Sequence, residues 1–146
     1  MQATESIPVP SQDRRARSSA TSFAPSTAAW CKLAVVYLLA SVALGVAMGA
    51  SEDFTLRSLH SHLSLLGWTT LALAGVIYHL FPDAGRSRLA AVHFWLYNVA
   101  LPPMMASLAA LLLGHPGAVP VLAASQTLVA IGLLAFVVNV FRGVRS

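Results

Sequence analysis

The sequence predicts an all-α membrane protein, a bundle of four transmembrane helices with both termini in the cytoplasm. Of its 146 residues, 57% are hydrophobic and only 10% are charged, a composition that is not typical of soluble globular proteins. The apolar residues are concentrated in four runs, each close to the roughly 20 residues that a helix needs to cross the hydrocarbon core of a bilayer. Lysine and arginine are concentrated in alternate connections between these runs.

The four apolar runs cover residues 30–50, 59–81, 89–113 and 118–141. Every backbone amide in lipid has to be satisfied inside the protein, so runs of this length predict helices. A pair of helical hairpins is the simplest arrangement. Residues 1–28 are rich in Ser, Ala and Pro and carry no apolar periodicity, which predicts a disordered cytoplasmic tail before a transmembrane domain of residues 29–146.

The distribution of basic residues predicts the orientation. Lys and Arg precede the first run, lie between the second and third, and follow the fourth, whereas the other two connections hold only Arg57. The positive-inside rule therefore places both termini in the cytoplasm and the start of the second run outside. Because the basic residues form no patch, we expect the lipid bilayer and no nucleic acid as a partner.

Two histidines at the start of the second run are the principal functional candidates. His60 and His62 are two residues apart, which turns them by about 200° on a helix. This spacing suits two partners on opposite sides of the helix better than one tetrahedral ion, which favours an i, i+4 pair. Imidazole is a common ligand of haem iron. The alternative is that both are wetted histidines at the membrane boundary.

Three further residues lie on the same predicted side of the membrane. Arg57 could neutralise haem propionates, or it could be a snorkelling residue at the helix edge. Met104 and Met105 could supply an axial thioether opposite a histidine, although methionine in an apolar helix is usually packing.

The remaining histidines are weaker candidates. His79 and His93 belong to the cytoplasmic end, where they could form a second site or act as interfacial anchors in an aromatic belt with Tyr78, Trp95 and Tyr97. His115 lies in a Gly-His-Pro-Gly sequence, which predicts an exposed turn.

Two patterns concern packing. Ser41, Gly45 and Gly49 recur at intervals of four, a small-residue spacing that predicts close contact with another membrane helix. Pro102 and Pro103 cannot donate backbone hydrogen bonds and are predicted to kink the third helix.

The second run, LHSHLSLLGWTTLALAGVIYHLFP over residues 59–82, resembles the tenth helix of subunit I of the haem-copper oxidases, particularly the bacterial nitric oxide reductases and cbb-kind cytochrome oxidases. His93-Phe94-Trp95-Leu96 resembles the opening of that subunit's next helix. Val138-Asn139-Val140-Phe141-Arg142 is similar to the end of its last helix. The resemblance covers roughly residues 55–142.

This resemblance implies that His60 ligates a high-spin haem and His62 a low-spin haem. It implies b-type haem, electron transfer or haem handling, and residence in a bacterial inner membrane. The histidines that would bind copper are missing from the chain, so we expect neither copper nor a complete terminal oxidase. Few axial ligands are present, and a second copy of the chain could supply one.

A second hypothesis is a non-enzymatic accessory or assembly subunit of a respiratory oxidase. It would have kept the oxidase-like helices for docking and lost the cofactor. The residues that matter most would then be small ones: Ser41, Gly45, Gly49, Gly67 and Gly75. Because no Asp, Glu or Arg lies within the runs and Lys32 is at an edge, a transporter or proton pump is disfavoured.

Overall fold

The computed structural model describes residues 26–143, and this part of the chain is helical without any strand. Four long helices follow one another: α1 (Thr27–Ser51), α2 (Arg57–Leu80), α3 (Arg88–Leu112) and α4 (Val119–Gly143). Each is long and apolar enough to cross a membrane, which confirms the predicted four-helix fold. The predicted span ends differ from these bounds by at most three residues. The predicted disordered tail falls almost wholly on residues 1–25, outside the described part.

The connections contain residues that end one helix and begin the next. A short helix, Pro82–Gly85, joins α2 to α3, and the Ser87 hydroxyl caps α3 by accepting a hydrogen bond from the Ala90 N–H at 3.0 Å. Gly114 ends α3 with a φ of 88°. Its N–H donates to the Leu111 carbonyl and the next N–H donates to the Ala110 carbonyl, which is the Schellman arrangement.

Small residues bring α1 and α2 together. A Cβ added to Gly67 would lie 2.6 Å from the Tyr37 side chain, and one added to Gly75 would lie 2.9 Å from Trp30. The predicted contact face of α1 is correct in part. Ser41 is buried and its hydroxyl lies 2.6 Å from the Ser64 hydroxyl, whereas Gly49 is exposed and has nothing within 4 Å of its Cβ position.

Helices α3 and α4 form the second hairpin. Gly132 lies against the backbone of Tyr97, whose nitrogen is 3.4 Å from the added Cβ position. Leu122 and Val129 are buried on the same face of α4. Helix α3 continues through Pro102 and Pro103, and both prolines are exposed.

The two hairpins meet through aromatic side chains near one end of the bundle. We call this end the basic end, because Lys32, Arg86, Arg88 and Arg142 lie near it; the other is the paired-histidine end. Close to the basic end the hairpins are joined by an aromatic cluster of Trp30, Tyr78, His93, Phe94 and Phe136.

The middle of α2 departs from an α-helix, which the sequence analysis did not predict. Residues Leu63–Thr70 form a π-helical segment. Within it the hydroxyls of Thr69 and Thr70 donate to carbonyls five residues back, at 3.0 and 2.8 Å. The Tyr97 hydroxyl donates to the Leu66 carbonyl at 3.0 Å, so a residue of α3 is anchored on this wider turn. Such π-segments occur often at functional sites.

Candidate cofactor site

His60 is held between α1 and α2 at the paired-histidine end. Its Nδ1 lies 2.9 Å from the Ser41 carbonyl oxygen, and because a carbonyl only accepts, Nδ1 carries the proton. The ring lies against Gly45, where an added Cβ would be 3.0 Å from Cε1. Gly45 and Ser41 therefore provide the space and the acceptor that fix this ring. Nε2 is left with its lone pair.

His62 is fixed in a different way, by its own helix. Its Nδ1 lies 2.7 Å from the carbonyl oxygen of Ser58, one turn earlier. The same reasoning places the proton on Nδ1 and the lone pair on Nε2. The side chain is half-buried, as is that of His60.

The two histidines share no hydrogen-bond partner, since His60 is bonded to α1 and His62 to α2. Different neighbours therefore orient the two rings. In the described residues no three His, Cys, Asp or Glu side chains are grouped so that they could hold a metal ion.

The three accompanying candidates lie in two environments. Arg57 is exposed, with its guanidinium carbon 5.6 Å from the centre of the Phe54 ring. Met104 and Met105 are 3% and 6% exposed and belong to the hydrophobic core. Arg57 thus remains accessible to an anionic group beside α2, whereas the two methionines take part in packing.

His79 and His93 lie in different environments. His79 is exposed, whereas His93 is 0% exposed. The His93 ring lies 4.8 Å from that of Trp30 and 4.9 Å from that of Phe136, and its Nδ1 is hydrogen-bonded to the Tyr78 hydroxyl at 3.1 Å. The interfacial-anchor interpretation is therefore wrong for His93, because the ring fills the space between the two hairpins.

The prediction of an aromatic belt is wrong for two of its three residues. Tyr78 and Tyr97 are 5% and 0% exposed, and only Trp95, at 58%, faces outward. The phenol groups are inside because each has a hydrogen-bond partner there: His93 for Tyr78, and the Leu66 carbonyl for Tyr97.

Asn139 connects the aromatic cluster to the basic-end loop, a role that its place in the sequence resemblance did not predict. Its amide nitrogen donates to the Ala84 carbonyl at 2.9 Å and to the Tyr78 hydroxyl at 3.4 Å, and its oxygen accepts from the Ser87 hydroxyl at 2.7 Å. The available signal was a lone asparagine inside an apolar helix, where a polar side chain is costly unless it is paired.

His93 Nε2 is buried without a hydrogen-bond partner in the described part of the chain. A planar cofactor could reach this nitrogen only by displacing rings of the aromatic cluster. His93 therefore has a packing role in this conformation.

Two further features belong to the α3–α4 hairpin. His115 is exposed in its turn, as predicted. A groove of about 410 Å³ opens between α3 and α4 on the outside of the bundle, lined by Val99, Ala100 and Pro103 and by residues between Pro120 and Leu128. None of the five histidines lines this groove.

No protein-family model, curated protein or solved structure matches the chain.

Proposed function

We propose that the protein is a b-type haem-binding protein of a bacterial inner membrane that serves electron transfer or haem handling, with His60, His62 or both as axial ligands. One observation carries the proposal. Each imidazole donates its Nδ1 proton to a backbone carbonyl and keeps the Nε2 lone pair for another partner.

This arrangement is the usual one for metal-bound histidine. A hydrogen-bond acceptor at one ring nitrogen fixes the tautomer, orients the ring and raises the basicity of the other nitrogen. The His60 ring is held more rigidly, because the Ser41 carbonyl and the Gly45 backbone that it contacts belong to another helix, α1. His62 depends on α2 alone. When bound, the haem would supply reversible one-electron chemistry at iron.

The surroundings of the pair also support haem. Arg57 is exposed near the start of α2 and offers a cation for a propionate. Both histidines belong to α2, where their neighbours Leu59 and Leu63 are apolar and buried.

The surroundings of the small residues give less support to the alternative, an accessory subunit of an oxidase. Gly45, Gly67 and Gly75 are each covered by a side chain of the same chain. Of the five small residues that docking would use, only Gly49 lies open. These residues therefore hold the protein's own hairpin together.

Haemin titration of the purified protein tests the proposal. We expect a Soret band that shifts on binding and weakens in His60→Ala, His62→Ala or both. His115→Ala is the matched control, because His115 is exposed at the same end, and it should bind like the unaltered protein. Absence of a shifted Soret band, or an equal loss in the control, would contradict haem ligation by the pair. Co-purification with an oxidase complex and no haem in this chain would favour the accessory role.

A further inference from the structure

Gln126 places an amide group on the outer surface of α4, inside the membrane. Its side chain is exposed, and it follows the start of α4 at Val119 by seven residues, about 10 Å along the axis. The 25 residues of α4 span about 37 Å, whereas the hydrocarbon core of a bilayer is about 30 Å thick. The amide therefore lies within the hydrocarbon, where neither water nor the lipid tails form hydrogen bonds with it.

Other exposed polar side chains of the helices are satisfied by their own backbone. The hydroxyls of Thr69 and Thr127 donate to carbonyls of the same helix at 3.0 and 2.9 Å. Gln126 has no such partner, since the side-chain hydrogen bonds of α4 among the described residues belong to Ser125, Thr127 and Asn139. An amide carries both donors and an acceptor, and leaving them unpaired in an apolar medium is costly. The position of Gln126 therefore favours a partner from another molecule.

One stripe along α4 carries this amide. Its members recur at alternating intervals of four and three residues: Val119, Ala123, Gln126, Ala130, Leu133 and Val137. Leu133 is half-buried and the others are exposed. This spacing is that of the contact seam between two helices in a left-handed coiled coil, in which a single polar residue fixes the register. The alanines on either side of Gln126 leave room for a second helix to approach closely.

We propose that this stripe is the interface of a homodimer, in which the α4 helices of two copies pack side by side about a two-fold axis. An amide both donates and accepts hydrogen bonds, so Gln126 is complementary to the partner subunit's Gln126. Copies inserted in the same orientation hold this group at the same depth, and a two-fold axis brings equivalent residues together. Lipid tails offer neither donor nor acceptor. The interface lies on α4 and does not depend on haem.

Energy transfer between labelled copies of the full chain in lipid vesicles, without haem, tests the proposal separately from haem binding. Cys31 is the only cysteine of the sequence and is exposed, so it accepts a donor dye in one sample and an acceptor dye in the other. We expect transfer that rises with the protein-to-lipid ratio and saturates as for a dimer. Absence of transfer at every ratio would overturn the proposal.

Gln126→Leu replaces the amide by an apolar side chain of similar size. It should weaken association about tenfold, the effect of two interhelical hydrogen bonds in lipid, while circular dichroism shows unchanged helix content. Gln126→Asn keeps an amide and should restore most of the association. Thr127→Val is the matched control, because the Thr127 hydroxyl lies at a similar depth and is bonded to its own helix. Unchanged association of Gln126→Leu would overturn the proposal.

Disulfide crosslinking in membranes shows which face of α4 meets the second copy. In a Cys31→Ser background, Ala130→Cys lies on the stripe and should give a crosslinked dimer with iodine as the oxidant. Leu128→Cys is the control, because Leu128 is also exposed but is turned by about 160° from residue 130. Crosslinking through residue 128 in preference to residue 130, or crosslinking of residue 130 only to a different membrane protein, would contradict the interface.

Discussion

The histidines of the two ends are in contrasting environments. At the paired-histidine end, His60 and His62 are half-buried, each is fixed through Nδ1 on a carbonyl, and each keeps a free Nε2. Near the basic end, His93 is fully enclosed, and its Nε2 has no hydrogen-bond partner in the described residues. The same side chain therefore packs the bundle together in one region and is available for the proposed ligation in the other.

The two ends of the bundle also differ in how their helices pack against each other. At the paired-histidine end, a glycine of α1 receives an imidazole of α2. Near the basic end, aromatic rings from all four helices meet. Large rings keep the two hairpins apart and fill the space between them, so the loss of one ring leaves a cavity.

His93→Ala should give the largest effect on stability. Removal of a fully buried ring with a hydrogen bond to Tyr78 is expected to lower the free energy of unfolding by about 3 kcal/mol. Thermal or denaturant unfolding in detergent measures the change. His79→Ala, which truncates an exposed histidine in the same part of the bundle, should change it by less than about 0.5 kcal/mol. Equal effects of the two substitutions would contradict the packing role of His93.

Gly67→Ala should give an intermediate effect. The new methyl group would overlap the Tyr37 side chain at 2.6 Å, and overpacking of this kind is expected to cost about 1–3 kcal/mol. Gly49→Ala is the control, because its Cβ meets nothing within 4 Å; it should be neutral or slightly stabilising. Unfolding of both variants under the same conditions checks the pair, and a neutral Gly67→Ala would show that the hairpin is not held by this contact.

The smallest effect is expected in the α1–α2 loop, outside the membrane. The hydroxyl and the backbone N–H of Thr55 donate to Asp53 and lower the pKa of this exposed carboxyl. A lowered folded-state pKa contributes stability above the unfolded pKa, and this is lost as the pH falls through the folded one. An NMR titration should place the Asp53 pKa below the ordinary aspartate value. Thr55→Ala should raise it, and an unchanged value would argue against these hydrogen bonds.

The sequence was sufficient for the four helices because each run is long and apolar enough that lipid permits only one backbone state. It also indicated Ser41 and Gly45 as contact residues and His115 as exposed. It could not place Gly49 outside the interface, since a regular spacing does not say where the neighbouring helix diverges. The π-helical segment at Leu63–Thr70 was not foreseen, because its apolar residues and threonines are equally compatible with an α-helix.

For the candidate site, the spacing of His60 and His62 predicted different neighbours for the two rings, and the structure gives them different hydrogen-bond partners. Ligation of haem by this pair stays a prediction. The carbonyls of Ser41 and Ser58 were not predictable, because backbone acceptors leave no mark in the sequence. The burial of His93 was missed because a position near the end of a predicted span was taken to mean an exposed side chain. The rings that enclose His93 come from the other three helices, and the sequence does not show which residues these helices bring together.

The optical spectrum of the haemin-reconstituted protein in two variants tests the central claim most directly. In His60→Ala/His62→Ala both free Nε2 atoms are gone, and the Soret band of bound haem should be lost. In His93→Phe the enclosed imidazole is replaced by a ring of similar size, and the band should be unchanged. A band that survives the double substitution, or that disappears in His93→Phe while that variant stays folded, would show that accessible Nε2 atoms at the paired-histidine end are not the ligands.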